Sequence, residues 1–167
     1  NIHLVEKEHE PGGHAAQLYA RTPDKAPYID LPVPEIHEKI KELSTYNNIK
    51  TYFSTTINEI KGQPGNFEII LQNKNTQIIK AGAVVAAMGM KPYEPSNLQH
   101  LGYGKFKNVI TSVELEELIM SGKTALLPER VLFVQCAGSR DIKHLPYCSS
   151  ICCNTTLRQA KLIRMKK

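Results

Sequence analysis

Four cysteines crowd into a short carboxyl-terminal stretch in the pattern Cys136-x11-Cys148-x3-Cys152-Cys153. Four thiolates can close a tetrahedral zinc site, ligate the irons of a [4Fe–4S] cluster, or act as a redox dithiol. The spacing follows neither the paired Cys-x2-Cys of zinc modules nor the ferredoxin run. Adjacent Cys152 and Cys153 would diverge by about 100° on a helix, so one centre takes both only near a helix start. A cluster about 3 Å on an edge accommodates that spread better than one tetrahedral ion, while zinc and thiol exchange stay open. Arg140, Lys143 and His144, in the loop between the first two cysteines, would offset a cluster's negative charge and raise its potential, or simply solvate the loop.

A second set of residues suits a nucleotide cofactor. The apolar run ending at Val5-Glu6-Lys7 is followed by Pro11-Gly12-Gly13. An acid at the end of a strand in a doubly wound sheet accepts hydrogen bonds from ribose hydroxyls, and glycines beside it let the backbone approach a ligand. A third candidate is Ala83-Val84-Val85-Ala86-Ala87-Met88-Gly89, an apolar segment ending in small residues, which is expected to be a buried strand whose tip, at Ala87 and Gly89, admits a planar or phosphorylated ligand. The Gly-x-Gly-x-x-Gly turn that completes such a fingerprint does not stand before Glu6. His14, His37 and His100 are isolated and show no ligand spacing.

These groups need elements to position them. Ile2 to Val5 reads as a strand, Ala15 to Ala20 as a helix, and four prolines between Arg21 and Pro34 as a surface linker. Ile36, Ile40 and Leu43 lie at helical spacing. Ile49 to Phe53, Thr55 to Ile60, Phe67 to Leu71 and Gln77 to Lys80 read as strands separated by Gly62, Pro64 and Gly65 and by Asn73 to Asn75, a β-meander feeding Ala83 to Ala87. Ser112 to Met120 reads as a helix capped by Thr111 or Ser112 with acids in its first turn. Val131 to Val134 reads as a parallel-type strand, and Cys148 to Lys161 as a helix. The expected division is a partial cofactor-binding domain over residues 1–125 and the start of a second nucleotide-binding-like unit over 126–167.

The bulk properties bound the function. The chain has 167 residues, is 41% hydrophobic and 22% charged, and carries a formal charge of +5 from 21 basic and 16 acidic residues. The basic residues are mixed with acids rather than clustered, which argues against a nucleic-acid partner; the run Arg158 to Lys167 reads as the solvated face of a helix. No apolar run approaches the roughly 20 residues of a membrane span, and no secretory signal opens the sequence. Clustered cysteines without a secretory address point to metal or redox chemistry in the cytoplasm.

Taken together, Val5-Glu6-Lys7-Glu8 with Pro11-Gly12-Gly13-His14-Ala15-Ala16-Gln17-Leu18-Tyr19, Gly65-Asn66-Phe67, Gly102-Tyr103-Gly104 with Asn108-Val109-Ile110-Thr111-Ser112, Val134-Gln135-Cys136-Ala137-Gly138-Ser139-Arg140-Asp141 and Pro146-Tyr147-Cys148-Ser149-Ser150 with Cys152-Cys153 resemble the A-subunit of heterodisulfide reductases. They are also similar to the related A-subunit of the quinone-interacting membrane-bound oxidoreductase complex. The resemblance implies an internal segment of an α/β, partial thioredoxin-reductase-like FAD/NAD(P)-binding fold of Rossmann type with a β-meander. It implies FAD held with Glu6 at the adenosine ribose, Lys7, Gly12 and Gly13 beside the cofactor, and Ala87 and Gly89 at the small-residue end. It implies a [4Fe–4S] cluster on Cys136, Cys148, Cys152 and Cys153, with electrons passing between flavin and cluster to partner subunits of a redox complex. No Cys-rich segment interrupts Tyr28 to Pro34, which favours the shorter, quinone-complex type. Any membrane association would then run through partner subunits. The competing expectations are a pyridine-nucleotide-dependent disulfide reductase with a redox dithiol and a zinc-stabilised subunit-docking module.

Overall fold

The computed structural model describes residues 1–165, apart from the side chain of Thr124. Lys166 and Lys167, the end of the basic run, lie outside the described residues. Strands and helices are mixed, and the chain forms two compact units, one of residues 1–16 and 35–90, the other of residues 17–34 and 91–165.

In the first unit, β1 (Ile2–Val5) pairs in parallel with β2 (Ile49–Tyr52), Ile2 opposite Ile49 and Val5 opposite Tyr52. A parallel pair needs a crossover, and the helix α2 (Ile36–Leu43) lies between the two strands in sequence with Ile36, Ile40 and Leu43 half-buried, as their spacing predicts. The helix expected over Ala15 to Ala20 is instead one turn, α1 (Gly13–Ala16). Gly12, at φ 120°, allows that turn to close on α2: a Cβ there would stand 3.0 Å from Ala16 Cβ and 3.1 Å from Ile40 Cδ1.

The β-meander forms as three antiparallel strands, β3 (Thr56–Gln63), β4 (Asn66–Gln72) and β5 (Thr76–Ala81). Pro64 and Gly65 make the first hairpin turn, with Gly65 at φ 89° in the left-handed position that a proline-led turn requires. Asn73 makes the second by accepting the Asn75 N–H at 2.9 Å. Ile69, Leu71 and Ile79 alternate onto one face and bury with Tyr52, flanked by Val5, Phe67 and Ala81.

The meander does not feed a buried strand. Ala83–Met90 is irregular and exposed, Val85 at 86% and Met88 at 91%. The same holds for Val131–Val134 in the second unit, where Leu132 is 87% exposed and only Phe133 packs on the core. Apolar composition gives a segment the capacity to be a buried strand, but its N–H and C=O groups need a neighbouring strand, and neither segment has one among the described residues.

In the second unit, α3 (Ser112–Met120) and α4 (Cys152–Met165) bury Leu115, Ile119, Leu162 and Ile163 around Ala20, with Leu31 and Leu127 packed alongside. Beneath that core Glu116 and Arg158, with side chains 5% and 3% exposed, form a two-pronged ion pair at 2.9 and 2.8 Å. Arg158 is therefore not on a solvated basic face.

The cap of α3 is Thr111. Its hydroxyl accepts the Glu114 N–H at 3.2 Å, and the Glu114 carboxylate accepts the Thr111 N–H at 2.6 Å and the Tyr103 hydroxyl at 3.1 Å. Burial works against the charged carboxyl of Glu114, but the bonds from Thr111 and Tyr103 outweigh it and hold its pKa below the ordinary carboxylate value. Replacing Thr111 with alanine is expected to cost about 1 kcal/mol in urea unfolding at neutral pH. A depressed folded pKa stabilises above the unfolded value and stops doing so as pH falls through the folded one. The penalty should accordingly shrink once the medium is acidic enough to protonate Glu114.

Candidate functional site

The four cysteines all lie in the second unit, on two pieces of chain. Cys136 opens a tight loop in which Ser139 N–H donates to Cys136 O at 3.1 Å, Leu145 N–H to Gly138 O at 3.1 Å and Arg140 N–H to Tyr147 O at 3.0 Å. Cys136, Gly138 and Arg140 all take left-handed backbone, φ 55°, 78° and 56°, which coils the loop back on itself. The ring of Tyr93 occupies the space where a Cβ on Gly138 would sit, so only glycine fits there. The Tyr93 hydroxyl stands 2.6 Å from His144 Nδ1 in the same loop. Tyr93 thus pins the loop at two points.

Beyond Cys148 the chain does not enter a helix at once, as its composition suggests. Ser150 adopts φ 59°, and α4 begins only at Cys152. A left-handed residue interrupts helical hydrogen bonding, and here it turns the Ser150 N–H to Cys148 Sγ at 3.4 Å. Cys152 and Cys153 are the first two residues of α4, which is where two adjacent cysteines can address one centre. Gln135, next to Cys136, donates through its side chain to Thr156 Oγ1 at 2.5 Å and ties the loop to this helix.

The thiols are free, with Cys136 and Cys152 half-buried and Cys148 and Cys153 exposed. Their chemistry is shared. The Cys152 thiol is pushed down by a hydrogen bond from the Ser149 hydroxyl, opposed by burial and assisted by the N–H of Cys136 and by the side chain and N–H of Cys153. The Cys153 thiol is pushed up, first by repulsion from Cys152, then by its bond to Cys152 and by burial, then by repulsion from Cys136 and Cys148. The Cys153 thiol therefore feels the other three sulfurs, and thiolate character is favoured at Cys152. Among the described residues no three His, Cys, Asp or Glu side chains are gathered closely enough to hold a single metal ion.

The other expected ligand-binding residues lie in the first unit. Glu6 ends β1 half-buried; its N–H donates to Tyr52 O at 2.9 Å, its carbonyl accepts the Thr55 N–H at 3.0 Å, and its Oε1 accepts the Glu8 N–H at 3.0 Å. Lys7 is exposed beside Glu8 at 3.4 Å. Gly12 faces α2, whereas a Cβ on Gly13 would meet nothing within 4 Å. Ala87 and Gly89 sit in the exposed Ala83–Met90 segment and not at a strand end. No feature of the sequence marks Tyr93 as the brace of the cysteine loop, and none singles out the Ser150 N–H as a donor to Cys148 Sγ.

Four free thiols thus stand on one loop and one helix start. No protein-family model matches the chain. Its sequence is 42% identical over 98 residues to the second iron-sulfur A-subunit of CoB–CoM heterodisulfide reductase from Methanopyrus kandleri, covering 52% of this chain and 15% of that protein. It is 39% identical over 99 residues to the A-subunit of the H2:CoB–CoM heterodisulfide, ferredoxin reductase of Methanothermobacter thermautotrophicus, covering 53% and 15%. It is also 39% identical over 97 residues to the iron-sulfur A-subunit of CoB–CoM heterodisulfide reductase from Methanocaldococcus jannaschii, covering 52% and 15%. The resemblance to heterodisulfide reductase A-subunits is thus a real sequence relationship over about half of this chain, which spans about 15% of the length of the relatives it matches. Among the described residues no helix is long and apolar enough to cross a membrane.

Proposed function

We propose that the chain is part of an FAD and iron–sulfur oxidoreductase of the heterodisulfide reductase A-subunit type, working within a multi-subunit redox complex. The observation that supports this reading is four free thiols on one loop and one helix start, with Cys153 repelled by the other three. The donor set fits a [4Fe–4S] cluster. It is wholly sulfur, hydrogen-bond donors already favour the thiolate at Cys152, and a cluster binds each iron to its own thiolate, so its ligands stand further apart than those drawn in by Zn–S bonds of about 2.3 Å. Cys136, Cys148, Cys152 and Cys153 would hold it.

The first unit fits the flavin half of the proposal in part. Glu6, at the end of a parallel strand pair, would accept ribose hydroxyls, and Gly13 leaves open space. Lys7, Ala87 and Gly89 complete the proposed cofactor-binding set within a Rossmann-type, thioredoxin-reductase-like fold of the whole protein. Flavin and cluster together would supply the conversion between two-electron and one-electron transfer to partner subunits. Around them the chain's own residues set the ligands' backbone: Tyr93 and Gly138 fix the Cys136 loop, and Ser150 delays the helix so that Cys152 and Cys153 stand on its first turn.

The test is anaerobic reconstitution of the full-length protein with FAD, iron and sulfide. About four irons per chain, a broad visible band and bound flavin are expected. Stoichiometric zinc without iron would replace the reading with a docking module. A freely titrating Cys152–Cys153 pair, unprotected by iron, would replace it with the dithiol reductase that the thiolate character of Cys152 also suits.

A further inference from the structure

Tyr93 touches both arms of the loop that joins the first two cysteines. On the arm leaving Cys136, its ring fills the space beside Gly138, which stands at φ 78°. On the arm returning to Cys148, its hydroxyl lies 2.6 Å from His144 Nδ1, and the two rings meet edge to face at 83°. The arms are also tied to each other, by Leu145 N–H to Gly138 O at 3.1 Å and Arg140 N–H to Tyr147 O at 3.0 Å. Tyr93 is itself held in place. It precedes a tight helical turn, Pro95–Asn97, in which Glu94 accepts the Ser96 hydroxyl at 2.7 Å and the Asn97 side chain donates to the Tyr93 hydroxyl at 3.5 Å.

We propose that Tyr93 is a positioning residue that decides which metal the four-thiol centre takes, by stiffening both arms of the Cys136–Cys148 loop against collapse onto a single zinc ion. This rests on the reading of that centre as a [4Fe–4S] site. Zinc takes its thiolates at about 2.3 Å around one point, so all four cysteines must close in on it. A cluster spreads them over separate irons. Thiolates serve either metal, and geometry makes the choice between them. A loop free to fold inward is gathered by zinc, whereas one braced on both arms resists it. With the brace in place, no three His, Cys, Asp or Glu side chains among the described residues stand close enough to hold one ion. The ring acts on one arm and the hydroxyl on the other, so each contribution can be removed separately.

The experiment is a competition between metals. Metal-free full-length protein, as wild type, Tyr93→Ala and Tyr93→Phe, is reconstituted anaerobically with iron and sulfide across a zinc series, and bound iron and zinc are measured by elemental analysis. Tyr93→Ala is expected to lose half of its iron at a zinc concentration about tenfold lower than wild type, the lower end of what supporting residues contribute at metal sites. Tyr93→Phe keeps the ring beside Gly138 and loses the bond to His144, so its midpoint should fall between the two. An alanine midpoint equal to wild type overturns the role. So does an alanine variant that loses iron and zinc in equal proportion, because the residue would then support the loop without choosing its metal. If the alanine variant does not fold, Tyr93→Phe decides: a lowered midpoint supports the role, and a wild-type midpoint overturns it. A wild-type protein that binds no iron even without zinc overturns the centre itself, an outcome that does not depend on Tyr93.

Discussion

Replacing Cys152 with alanine is expected to lower the iron bound per reconstituted chain by more than about tenfold, a floor set by what the loss of mere supporting residues costs at metal sites. Cys152 is the thiol held below its ordinary pKa, first by the Ser149 hydroxyl, against burial, and then by the Cys136 N–H and by Cys153. Removing it takes away the thiolate that forms most readily, while the Gln135–Thr156 bond still joins the Cys136 loop to α4. Cys153→Ala should also lose the centre. In the metal-free protein, however, it should leave Cys152 as the fastest thiol toward an alkylating agent, since the thiolate is the nucleophile. If Cys152→Ala and Cys153→Ala both retain full iron, the four-thiol centre does not exist. If only single-ion zinc is retained, the docking-module reading takes its place.

The cysteine spacing is legible because the chemistry is carried by residue type: four thiols in one short stretch have few uses. The start of α4 is expected too early because a run such as Cys148 to Ile151 carries no proline or glycine to announce a break, and the break is made by Ser150 in left-handed backbone. The meander and the Thr111 cap are legible for a local reason. Pro64-Gly65, Asn73 and the Thr111–Glu114 spacing act within a few residues of themselves. Val84, Val85, Leu132 and Val134 look like buried strand residues and are not, because burial is decided by a partner, and a partner is a long-range fact. Glu6 stands at a strand end as its sequence context predicts, because the alternation and the following loop fix it locally. Gly12 is expected to make room for a ligand, yet its missing side chain makes room for Ile40, some 28 positions further on.

The ion pair beneath the second core is the least legible feature of all and should have the largest effect on stability. Glu116 stands among the acids of a helix start and Arg158 in a basic run, each explicable alone. In the structure the Glu116 carboxylate accepts from Arg158 at 2.9 and 2.8 Å, from the Tyr19 N–H at 2.9 Å and from Gln159 at 3.1 Å. Arg158 also donates to Ala20 O at 2.6 Å, and Gln159 to Ser112 O at 2.7 Å. Glu116→Gln preserves the shape of the side chain and leaves a guanidinium buried without its counter-charge. Such a loss costs about 3–5 kcal/mol, a large part of a typical domain's stability, and should appear as a lower denaturant midpoint for the second unit. Pairing Glu116→Leu with Arg158→Met removes both charges together and should recover much of that loss. A Glu116→Gln midpoint within the error of wild type would mean that the carboxylate does not carry α4. Because α4 presents Cys152 and Cys153 on its first turn and Arg158 on its second, whatever loosens the ion pair should also loosen two of the four thiols. Iron retention in Glu116→Gln should therefore fall as the temperature approaches its melting point, and it should do so before wild type shows any loss.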